Sequence, residues 1–125
     1  MERMPERRPS VSIEENMRVS RRAARFRGPL FYIWFYQQVR NGGPWDYKQE
    51  SRDYENFGNF HYGATGYAGG IPEAILLRAA GCAQYFAGTT ELAWGNCLRH
   101  APYGDDPKDQ EWIREGIKYA KKKGY

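Results

Sequence analysis

Residues 41–72 read NGGPWDYKQESRDYENFGNFHYGATGYAGGIP. The span holds Asp46, Lys48, Glu50, Asp53, Glu55, Asn59 and His61, and five of the thirteen residues from Gly58 to Gly70 are glycine. Glycine weakens a regular element by roughly 0.5–1 kcal/mol relative to alanine, so it is kept where backbone approaches something closely or takes positive φ. Residues 45–71 show no sustained hydrophobic period. The reading is therefore turns, a short helix near residues 46–54, and a loop or small hairpin over residues 57–70. A segment this polar, aromatic and glycine-rich is a natural place for a site.

Regular helices are expected on both sides. Downstream, Pro72 and Glu73 open a helix running to about Ala87. Its apolar stripe is Ile75, Leu76, Ala79, Ala80, Ala83 and Phe86, and Gly81 predicts close packing against another element. Residues 88–105 read as loop. Asp106 before Pro107 is an N-cap for a helix over about 107–122, with Trp112, Ile113, Gly116, Ile117 and Ala120 buried. Lys118, Lys121, Lys122 and Lys123 complement its C-terminal dipole. Upstream, Leu30–Arg40 (LFYIWFYQQVR) reads as a helix apolar nearly all round, which implies deep burial. The Asn41-Gly42-Gly43-Pro44 run stops it. Ser12 with Glu15 matches a capping box for a helix from Ile13 to about Arg27, broken by Gly28-Pro29. The fold class is mostly α: a small single domain of about four helices with a Gly/aromatic-rich loop or small hairpin insert. Residues 1–28 read as a basic, partly helical N-terminal arm or linker, and residues 29–125 as the domain.

The chain of 125 residues carries a net charge of +4. Residues 1–28 hold eight Arg against four Glu, while residues 29–125 hold eleven Lys/Arg and eleven Asp/Glu. The basic balance therefore belongs to the arm and not to the candidate site, which weakens any nucleic-acid argument from isoelectric point alone. Mean hydropathy is −0.85 and the longest apolar run is Leu30–Tyr36, so no membrane span is expected. No secretory signal is read at the N-terminus. Cys82 and Cys97 form no CxxC pair and are read first as two buried thiols, with a disulfide or a nucleophile as alternatives. With two Cys and two His far apart, no zinc spacing exists. No cofactor and no metal are expected.

The segments RNGGPWDYKQ (40–49), YENFGNFHYGATGYAGGIP (54–72), LLRAAGCAQ (76–84) and PYGDDPKDQEWIREGIKY (102–119) resemble the bacterial polymorphic toxin type 44 domain. The resemblance covers about residues 30–122. It implies the C-terminal toxin tip of a larger secreted carrier of Rhs, type VI or type VII kind. Such a tip is delivered into rival bacteria and neutralised by a cognate immunity protein. Ribonuclease action is what the resemblance implies about activity.

Three chemistries suit the residues. Metal-free RNA cleavage needs an acid, a base and a cation to hold the phosphorane charge. His61, Glu55 and Lys48 fill those roles, with His100 as a second titrating group. Tyr47, Tyr54, Phe57, Phe60 and Tyr62 offer rings on which bases stack. Cleavage of a peptidoglycan strand needs two carboxylates instead. There Glu55 is the acid and Asp53, Asp46 or Asp105 the partner. A magnesium-dependent nuclease would use Asp46, Asp53, Glu55, Asp105 and Asp106, and a toxin that only binds its target is a further alternative. The catalytic candidates are Lys48, Glu55, His61, Asp53 and Asp105, and the substrate-binding candidates are Trp45, Tyr47, Asn59 and Tyr62. Cytoplasmic action follows from the ribonuclease reading, periplasmic action from the wall-hydrolase reading. The GATGYAGG run does not match a phosphate loop and is read as backbone packed against aromatics.

Overall fold

The computed structural model describes residues 3–47, 50–86, 101, 103 and 105–125, with backbone alone for residues 84–86. Ser12 starts the first helix: its Oγ accepts a hydrogen bond from Glu15 N at 3.1 Å, as the capping-box pattern predicts. This helix, α1 (Ile13–Arg27), ends at Gly28, whose φ of +54° suits glycine. A 3-10 turn over Gly28–Leu30 leads into α2 (Phe31–Val39). The NGGP stop then folds back on α2, with Trp45 N donating to Gln38 O at 2.7 Å and Gly42 N to Asp46 Oδ2 at 2.8 Å. Ser51 caps a second 3-10 turn, Arg52–Tyr54, through Asp53 N. Three further helices follow: α3 (Glu55–Ala68), α4 (Glu73–Phe86) and α5 (Pro107–Lys122). Asp106 caps α5, its Oδ1 accepting from Lys108 N at 2.9 Å. The described residues contain no strand, and the fold is mostly α.

The glycine-rich run departs from expectation. Instead of a loop or hairpin, residues 55–68 form α3, the central helix. Ten of its fourteen residues are buried, so most of its circumference is covered. On one side Phe57, Phe60, Ala64 and Ala68 pack with Ile13 and Met17 of α1, Tyr47, and Tyr119 and Ala120 of α5. A second cluster joins Phe31 and Phe35 of α2, Ile71, Leu76 and Leu77, and Ile113 and Ile117 of α5. The glycines explain how α3 and α5 come so close. A methyl group on Gly63 would strike the Ile113 carbonyl, and one on Gly116 would strike the Phe60 carbonyl. Backbone therefore packs against backbone at this crossing. The expected close packing at Gly81 is also present, against the Tyr103 carbonyl.

Three more expectations change. α2 was read as deeply buried, but only Phe31 and Phe35 are, and Tyr32, Ile33 and Tyr36 face solvent. The α4 stripe turns by about one residue: Leu76 and Leu77 are buried, while Ile75 and Ala79 are exposed. Cys82 is disulfide-bonded and so is not a buried thiol; Cys97 lies outside the described residues. α1, read as part of an arm, puts Ile13, Met17 and Ser20 fully into the interior.

Candidate active site

His61 sits in the middle of α3 and is fully buried. Trp45 and Tyr47 meet its ring edge to face at 5.0 Å each, and Phe57, one turn earlier, lies at 5.8 Å. Its Nε2 is 2.9 Å from the Asn16 amide Nδ2 of α1. An amide nitrogen only donates, so Nε2 accepts and the neutral ring carries its proton on Nδ1. Nδ1 has no partner. Desolvation pushes the imidazole down to about 3, which keeps it neutral at physiological pH. Trp45, Tyr47 and His61 are thus brought together, but as a closed aromatic cage.

The carboxylates separate by exposure. Asp46 is buried and spends Oδ2 on Gly42 N, while Oδ1 is left without a partner. It holds the turn that places Trp45 and Tyr47. Asp105 is buried at the other end of the bundle, where Oδ1 accepts from Asp106 N and Oδ2 from Gln110 Nε2 at 2.8 Å. That Gln110 amide also donates to Leu77 O at 3.0 Å, tying α5 to α4. Tyr62 donates to Leu76 O at 2.7 Å. Burial, with the nearby Asp105 charge adding to it, raises its hydroxyl far above the usual range for tyrosine. Tyr62 and Asp105 therefore belong to a structural junction of α3, α4 and α5. Asn59 is buried and its amide donates to Glu55 O one turn back.

Asp53 and Glu55 remain within reach of water. Asp53 is exposed in the 3-10 turn, and Glu55 is half-buried in the first turn of α3. Beside them Arg52 is exposed, and Arg8 pairs with Glu50 at 2.8 Å. Lys48 and His100 lie outside the described residues. Among the described residues no three His, Cys, Asp or Glu side chains cluster as a metal site would.

Asn16 and Gln110 do most to shape these surroundings, and sequence reasoning singled out neither. Asn16 lies in the segment read as an arm. Gln110 lies on the polar first turn of α5, where it looks like any surface glutamine. Only the tertiary packing reveals what each one holds.

A family model described as bacterial toxin 44 matches residues 52–122, more than half of the chain and all of α3, α4 and α5. No curated protein and no solved structure matches the chain. With the central helix, the 3-10 turn that leads into it and the partner helix α5 all inside the match, the chain belongs to the bacterial toxin 44 family.

Proposed function

We propose that this toxin domain hydrolyses wall glycan outside the cytoplasm of the cell it enters, with Glu55 and Asp53 as its working carboxylates. The observation that carries the reading is which candidates water can reach. His61, Asp46 and Asp105 are buried, while Asp53 is exposed and Glu55 half-buried. A ribonuclease built on His61 would need that ring to exchange protons with substrate, and its cage keeps it neutral and covered. Two carboxylates on adjoining turns match the demand of glycoside hydrolysis for an acid and a base or nucleophile. In this reading Asp53 activates water and Glu55 protonates the leaving oxygen. The disulfide at Cys82 adds support, since such bonds persist in oxidising compartments.

Cytoplasmic ribonuclease action is the second reading, with Glu55 and Lys48 acting on RNA. The exposed arginines of α1 favour it, because they suit a polyanion. In either case a cognate immunity protein and a secreted carrier are the proposed partners.

Expressing the domain in a susceptible bacterium with and without a periplasmic export signal separates the two. Killing only on export, with release of glycan fragments from purified sacculi, is the expected result. Glu55→Gln and Asp53→Asn should each lower that release by about 10²-fold or more, with the helical circular-dichroism signal kept. Killing from the cytoplasm with fragmentation of RNA overturns the wall reading.

A further inference from the structure

Most of the exposed large apolar residues gather in one stretch. Phe26 is 87% exposed, Leu30 62%, Ile33 57%, Tyr36 65% and Tyr32 49%. All come from the end of α1, the 3-10 turn and α2. Residues 25–30 are exposed without interruption, so the chain stands off the core there as a knuckle. The knuckle is anchored from beneath, because Phe31 and Phe35 point inward and are buried.

Its surroundings are cationic. From Asn16 to Trp45 the chain holds Arg18, Arg21, Arg22, Arg25, Arg27 and Arg40, and no Asp or Glu. Arg18 and Arg22 lean back on Glu15, at 2.7 and 3.6 Å. Among the described residues no carboxylate pairs with Arg21, Arg25, Arg27 or Arg40.

The mixture discriminates between partners. An RNA strand would stack on Phe26, Tyr32 and Tyr36 and take the guanidinium groups. It would leave Leu30 and Ile33 without a role, since an aliphatic side chain offers neither a π face nor a donor. A lipid surface uses every part. Phe26, Leu30 and Ile33 enter the acyl boundary, the tyrosines sit at headgroup level, and the arginines meet phosphates. No described helix is long and apolar enough to cross a membrane, so the contact is superficial. We propose that the knuckle of residues 25–36 docks the domain on an anionic phospholipid surface. The inference is independent of which bond the domain cleaves.

The test is sedimentation of the purified chain with vesicles of equal phosphatidylglycerol and phosphatidylcholine, against phosphatidylcholine alone. Pelleting with the anionic vesicles only is expected. Leu30→Asp with Ile33→Asp should lower partitioning at least about tenfold. Arg25→Gln with Arg27→Gln should lower it at low salt and much less at high salt. The substituted side chains are exposed, so the fold should survive, as far-UV circular dichroism will check; Ile33→Ser serves as the milder variant. Failure to pellet, or equal pelleting of the Asp variant, overturns the proposal. So does displacement from vesicles by RNA that the Asp variant still binds, which would assign the face to nucleic acid. A dimer in sedimentation velocity that the Asp variant loses would assign it to a second copy and also overturn it.

Discussion

His61 shows how far the meaning of a residue depends on what surrounds it. A histidine among Tyr, Asn and Glu looks like a catalytic group, and its polarity was legible from the chain. Its cage was not, because Trp45 and Tyr47 come from a preceding turn and Asn16 from another helix. Burial lowers its folded pKa to about 3, from the ordinary histidine value of 6.5. The folded ring stays neutral while the unfolded ring takes up a proton, so its contribution is intact above about pH 6.5. That contribution is lost progressively as the pH falls toward 3. By pH 5 the loss should reach about 2 kcal/mol. Urea midpoints at pH 7 and pH 5 measure it, and His61→Gln should flatten the difference. An imidazole seen by NMR to titrate near pH 6.5 would refute the cage. Asn16→Ala, which leaves a buried ring nitrogen unpaired, should lower stability by about 1–3 kcal/mol.

At the scale of elements, α1 and α5 were legible because their caps are local. Ser12, Asp106 and Pro107 act within a few residues, and their bonds form as expected. α2 and α3 came out inverted. Phe, Tyr, Ile and Trp around α2 imply burial, yet half of that surface faces out. The glycines of α3 carry a helix penalty of about 1 kcal/mol each, yet the helix forms because the missing side chain of Gly63 admits α5 and that of Gly66 admits Leu76 and Phe35. That gain is tertiary and leaves no periodic trace in the segment. Gly63→Ala and Gly116→Ala should therefore destabilise by about 1–3 kcal/mol in thermal melts, despite alanine's better helix propensity. A rise in melting temperature for either variant would mean that the helices do not touch there.

Across the whole molecule, the N-terminal segment is wired to the C-terminal helix. Glu14 of α1 accepts from both Arg7 and the Tyr119 hydroxyl. The Arg7 bond, helped by Tyr119 and opposed by partial burial, holds the Glu14 carboxyl down at about 2, from the ordinary glutamate value of 4.5. Its contribution is complete above about pH 4.5 and is lost as pH falls toward 2. Glu14→Gln should remove the part of the acid destabilisation that lies in that window, read from denaturation midpoints between pH 5 and 2. Ile13 and Met17 are fully buried against α3. Cutting either back to alanine should cost about 2–5 kcal/mol, and removing residues 1–28 should abolish cooperative thermal unfolding. The interlocked glycines of α3 and α5 also bear on the order of assembly. α5 is the last described helix to appear when the chain is made or threaded from its N-terminus. Until it arrives, one side of α3 has nothing to fill it, and the turn carrying Glu55 rests on an unfinished support. The core of the described helices is therefore closed only once α5 has been made.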